Sequence, residues 1–196
     1  MSDSLARRKL ARAAARLAAH ARHDLPALAL FTDDERLADP LAAARVLPRG
    51  SMVVVRSRDA ARRAELARAM IALARWRFLI VLVAGELVAG ADGVHLPEAR
   101  LGEAAYWRAR RRSMFITGSV HSLAALAKAN LLDGAFLSPV FPTASHPGRA
   151  ALTAVRANLI ARATRLPLYA LGGIGPRNAA LLSGFAGIAA IGALDV

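Results

Sequence analysis

The 196 residues, 56% of them hydrophobic, are enough to bury one sizeable core and exclude an intrinsically disordered chain. The formal net charge of +13 is carried almost wholly by arginine, Lys9 and Lys128 being the only lysines; a compositional bias accounts for this better than a nucleic-acid surface, so nucleic acid is not an expected partner. The absence of cysteine excludes disulfides and thiolate metal sites and suits a cytoplasmic setting, while the longest apolar run, Phe78 to Ala84, is far short of the roughly 20 residues that span a bilayer, so no membrane partner is expected.

Residues 1–24 are rich in Ala and Arg and lack the apolar centre of a secretory signal. Arg8, Arg12, Arg16 and His20 recur every fourth residue, opposite Leu10, Ala13, Ala14, Leu17 and Ala21. This spacing predicts a basic amphipathic helix lying across one end of the domain. Its charged stripe reads as a solvated face, with an anionic surface or nucleic acid as the alternative contact.

Residues 25–196 read as one further domain, in which short β-type runs alternate with Ala/Leu/Arg helical runs. The predicted strands are Ala27 to Phe31, Met52 to Arg56, Phe78 to Leu82, Gly93 to Leu96, Phe115 to Gly118, Ala135 to Ser138, Leu168 to Leu171 and Gly187 to Ile191. Helices are predicted over Arg62 to Arg75, Glu98 to Arg111, Ser122 to Leu131, Arg149 to Ala163 and Pro176 to Ser183, with Asp59 and Ser122 as start signals. Eight strands, several apolar throughout, predict a small α/β (β/α)8 TIM barrel whose last helix is truncated or missing, with an open doubly wound sheet as the alternative.

In such a barrel the chemistry collects where strands end. The seventh strand runs into Leu171-Gly172-Gly173-Ile174 and the eighth into Ile191-Gly192-Ala193, glycines that let a backbone approach an anion closely. The sixth runs into Ser138 to Pro147, where prolines stiffen a loop carrying Thr143, Ser145 and His146 as hydrogen-bond donors. The fifth ends at Ser119-Val120-His121, which makes His121 the candidate acid/base; the second ends at Arg56-Ser57-Arg58, whose arginines share a face by strand alternation and form a candidate diphosphate clamp.

The runs Gly90-Ala91-Asp92-Gly93-Val94-His95-Leu96, Ser119-Val120-His121-Ser122, Pro139-Val140-Phe141-Pro142-Thr143 and Ala170-Leu171-Gly172-Gly173-Ile174 together resemble, in order and spacing, the thiamine phosphate synthase and TenI-like family of small barrels. The resemblance spans about Met52 to Leu194. It implies a phosphorylated thiazole-type ligand held by Thr143, Ser145, Gly173, Ile191 and Gly192.

The same resemblance implies that a synthase joins a pyrimidine diphosphate to a thiazole phosphate with Mg²⁺ neutralising the departing diphosphate. At the positions matched to the metal-binding region stand Val54, Leu82, Val83 and Arg100, and His146 replaces the family lysine. Hydrophobes and an arginine are not oxygen ligands. The sequence-based expectation is therefore a TenI-like thiazole tautomerase with no cofactor, working through His121. A synthase, using Mg²⁺ and residues such as Glu86 or Glu98, and a non-catalytic phosphate-ligand binder are the alternatives, and a homodimer is compatible with either.

Overall fold

The computed structural model describes residues 2–20, 23, 25–143 and 150–194. Its eight strands are β1 (Leu28–Phe31), β2 (Met52–Val55), β3 (Ile80–Ala84), β4 (Gly93–Leu96), β5 (Phe115–Val120), β6 (Gly134–Leu137), β7 (Leu168–Ala170) and β8 (Gly187–Ala190). Each pairs in parallel with the next and β8 returns to β1, closing the barrel expected from the sequence. Strand alternation sorts the side chains into two layers. Ala29, Phe31, Met52, Val54, Leu82, Phe136, Tyr169 and Ala189 fill the interior. Their neighbours Leu30, Val53, Val55, Val81, Val83 and Ile188 pack outward with the buried faces of the helices. The Tyr169 hydroxyl, the one polar group of that interior cluster, donates to the Pro26 carbonyl at 2.7 Å and so is not left unpaired.

The helices are α1 (Ser2–Ala18), α2 (Pro40–Arg45), α3 (Ala60–Arg77), α4 (Ala104–Arg110), α5 (Leu123–Ala127) and α6 (Ala154–Ala163). α2 is missing from the sequence reading although its signal is present: Asp39 caps it by accepting the Ala42 N–H at 2.8 Å, and Pro40 opens the first turn. α4 is preceded by a 3₁₀ segment, Glu98–Glu103. The helix expected over Pro176 to Ser183 is only a 3₁₀ turn at Ala179–Leu181, and the chain after β8 makes another at Gly192–Leu194.

β3 begins two residues later than its apolar run suggests. Phe78 adopts a left-handed conformation (φ 54°) and ends α3, with its ring exposed beneath the Arg49 guanidinium at 4.3 Å. A glycine is the usual residue there, so an aromatic next to a hydrophobic run reads as strand.

α1 lies against the outside of the barrel rather than across its end. Leu10, Ala14 and Leu17 are buried in the same outer layer as Ile188, Ala190 and Leu194, so α1 covers the wall of β8 and β1. Arg16 of the basic stripe donates to the Ala180 and Leu182 carbonyls, while Arg8 and Arg12 stay exposed. Among the described residues no helix is long and apolar enough to cross a membrane.

Candidate functional site at the barrel mouth

β5 delivers His121 one residue beyond its end, half-buried beside the β6 terminus. Its Nδ1 lies 2.8 Å from the Ser138 carbonyl oxygen and 3.0 Å from Ser138 Oγ. A carbonyl only accepts, so Nδ1 carries a proton, and in the neutral ring it is Nε2 that holds the lone pair. Nε2 has no hydrogen-bond partner among the described residues, and the His121 N–H is held by the Glu98 carboxylate. The imidazole is thus fixed in the tautomer of a base.

Ser119 lies on the same strand, where its Oγ is 3.0 Å from His95 Nε2. The other ring nitrogen of His95 is 3.0 Å from Thr117 Oγ1, and Phe31 and Phe136 meet the ring edge-on. The sequence reading of His95 as barrel packing agrees with this burial, but the residue also borders the mouth. Burial, reinforced by the Arg56 charge and then by His121, pushes its pKa down to about 3. In the unfolded chain it protonates near pH 6.5. Between these values the unfolded state binds more protons, so the contribution of a neutral His95 is complete above about pH 6.5 and is lost as pH falls toward 3. In urea denaturation, wild type is expected to lose about 2 kcal/mol more between pH 7 and pH 5 than His95→Gln does. Equal losses in the two proteins would refute this.

Around His95 and Ser119 opens a cleft of about 260 Å³, lined also by Arg56, Arg63, Ala84, Gly85, Pro97 and Arg100. Arg56 stands just past β2 and is held by Asp33. Burial alone would raise the Asp33 carboxyl, but hydrogen bonds from Arg36, the Glu35 N–H and Arg56 hold it far below the usual carboxylate range. Arg63, on α3, pairs with Glu86 at 2.7 Å and donates to the Ser57 carbonyl at 2.9 Å. Arg100 makes a two-pronged contact with Glu103, its Nη2 2.7 Å from Oε2. The structure does not bring Arg58 into this cleft: β2 stops at Val55, and Arg58 points into solvent beside Glu35. The two-arginine clamp expected from strand alternation is therefore not formed.

The opposite half of the mouth is backbone. Gly172 and Gly173 have φ of 91° and 64°, and a Cβ on Gly173 would come within 2.4 Å of the Pro142 carbonyl oxygen. Val140 and Phe141 donate to the Leu171 and Gly172 carbonyls, both at 3.0 Å, clasping the β6 and β7 loops together. Asn178, which the sequence reading missed, donates to the Gly173 carbonyl at 2.8 Å and accepts from Gly175. With the carbonyls so engaged, the N–H groups of Gly172 and Gly173 have no partner among the described residues. Thr143 is half-buried at the end of the β6 loop, Ile191 and Gly192 lie at the β8 end, and Ser145 and His146 lie outside the described residues.

The sequence-based placement of the metal region needs correcting. Leu82 faces the barrel interior and Val83 the outer layer, so this pair could not jointly face a ligand. The mouth of β3 is Ala84-Gly85-Glu86, and Glu86 is engaged by Arg63. Among the described residues no three His, Asp or Glu side chains cluster as a metal site. The donor set at the cleft, guanidinium rather than carboxylate, does not fit Mg²⁺.

The family model described as thiamine monophosphate synthase matches residues 28–194. A provisionally named thiamine-phosphate synthase 2 of Aquifex aeolicus is 32% identical over 164 residues, covering 77% of this chain and 87% of that protein. A thiamine-phosphate synthase of Chlorobium luteolum is 32% identical over 180 residues, covering 86% and 85%. Among solved structures, a thiamine phosphate pyrophosphorylase from Pyrococcus furiosus superposes with a TM-score of 0.67 at 23% identity, over 84% of this chain and 85% of that one. An Escherichia coli aldolase reaches 0.57 at 10% identity, over 94% and 80%, a likeness of fold alone. The match across almost the whole barrel, with curated relatives at this identity, makes the chain a member of the thiamine monophosphate synthase family.

Proposed function

We propose that this protein is a transferase of thiamine biosynthesis that couples a pyrimidine diphosphate to a thiazole phosphate, the activity named for its curated relatives. The observation that carries this reading is the division of the mouth into two anion-receptive halves, arginine-lined over β2 to β4 and glycine-lined after β7. An isomerase acting on one monophosphate has no use for the second. In the coupling, the C–O bond to the diphosphate breaks with its electron pair staying on the diphosphate. The thiazole ring nitrogen supplies the pair for the new C–N bond; this bond exchange moves no proton, and the diphosphate, once released, takes one up from water. The residues named here contribute charge neutralisation and orientation of the two substrates.

A second reading, proton transfer on a thiazole phosphate tautomer, is favoured by the fixed tautomer of His121. Incubating the protein with both thiamine precursors, in parallel with the tautomer alone, separates the two. Formation of thiamine phosphate at roughly 1 per second or faster supports coupling. Consumption of the tautomer with no coupled product would overturn coupling in favour of isomerisation.

A further inference from the structure

We infer that the β2–β4 cleft is a metal-independent polyanion subsite for a diphosphate group, in which the Arg100 guanidinium over Gly85 supplies the positive charge that a divalent cation would otherwise bring. The inference rests on the two-subsite reading above for its place in a reaction, but its chemistry stands on the cleft itself.

Every charged side chain lining the cleft is an arginine, and the carboxylates that hold these arginines, Asp33, Glu86 and Glu103, do not line it. The carboxylates therefore orient the guanidiniums and leave their exposed edges to the cleft. A divalent cation would meet like charge and no carboxylate in the lining, whereas a diphosphate would meet three planar donors suited to its oxygens. A volume of about 260 Å³ suits a small anion rather than a drug-sized ligand.

Gly85 explains how Arg100 reaches this place. Its φ is 77°, and a Cβ there would stand 2.7 Å from Arg100 Nη1, so any side chain at position 85 would push the guanidinium away. The mouth of β3, where the family resemblance calls for metal-binding side chains, is thus occupied by a cation belonging to the chain. The neutral His95 at the floor is consistent with the same positive field, since Arg56 helps to keep it unprotonated.

The test is titration calorimetry with inorganic pyrophosphate on the full-length protein, in EDTA and in excess magnesium. Binding is expected in EDTA, no weaker than in magnesium, with Arg100→Ala weakening it by about tenfold or more, as loss of a bidentate charged contact should. Gly85→Ala, which keeps every charge and displaces the guanidinium, should also weaken it, and Arg75→Ala on the exposed face of α3 should not. If Arg100→Ala does not fold, Arg100→Lys and Gly85→Ala carry the test. Pyrophosphate binding that requires magnesium, or an affinity indifferent to both positions, would overturn the inference. Coupling that proceeds only with magnesium would sink it while leaving the proposed function standing; pyrophosphate binding in EDTA by a protein that forms no thiamine phosphate would do the reverse.

Discussion

On the proton-transfer reading, a His121→Asn protein is expected to fold, to bind inorganic phosphate as wild type does, and to move the proton of a thiazole phosphate tautomer about 10²- to 10⁴-fold more slowly. The asparagine amide can still donate to the Ser138 carbonyl that now receives the Nδ1 proton, so the local structure is retained. What disappears is the Nε2 lone pair, the group a base requires. The C–O and C–N bond exchange of coupling removes no proton from either substrate, so its rate should change by only a few-fold in the same variant. Stopped assays of both reactions on wild type and variant check this. A tautomerisation rate unchanged in a folded His121→Asn protein would remove His121 from the chemistry, and a coupling rate that fell just as steeply would show that it serves the transfer as well.

The second large effect is expected at the glycine pair. Gly173→Ala places a methyl within 2.4 Å of the Pro142 carbonyl and 2.8 Å of the Phe141 carbonyl, at a left-handed φ. Backbone oxygens on a loop clasped to β7 cannot yield without breaking that clasp. The combined strain should cost about 3 kcal/mol and abolish the phosphate response of the β7 loop. Gly175→Ala, two residues on, meets open space and should stay within about 0.5 kcal/mol of wild type. Urea melts and phosphate titration followed by amide shifts measure the two parts. Equal stability of the two variants would contradict the packing described for the β6–β7 junction.

The architecture was legible because β-type runs and helical runs alternate along the chain and because a barrel buries both faces of its strands. The eight apolar runs fall on the eight strands, with β3 displaced by the left-handed Phe78. The glycine half of the mouth was legible for a local reason, since Gly172 and Gly173 are adjacent and follow a strand directly. The arginine half was not. Arg56, Arg63 and Arg100 come from a strand end, a helix and a 3₁₀ segment, and only tertiary structure brings them together. In the sequence, Arg100 registered as a missing acid rather than as a present cation. Arg58 was misplaced because strand alternation was extended beyond Val55, where the strand has already ended.

The covering of β8 by α1 bears on how the polypeptide reaches its native state. Contacts such as that of Arg16 with the Leu182 carbonyl join residues 166 positions apart, and the β1–β8 seam is equally remote in sequence. Such contacts form late because their loop-closure entropy must be met before they return any stabilisation. Until β8 has been synthesised, the apolar stripe of Leu10, Ala14 and Leu17 has only β1 of the two strands it covers. On the ribosome α1 must therefore wait for a strand made well after it, and its leucines stay exposed on the nascent chain until β8 emerges.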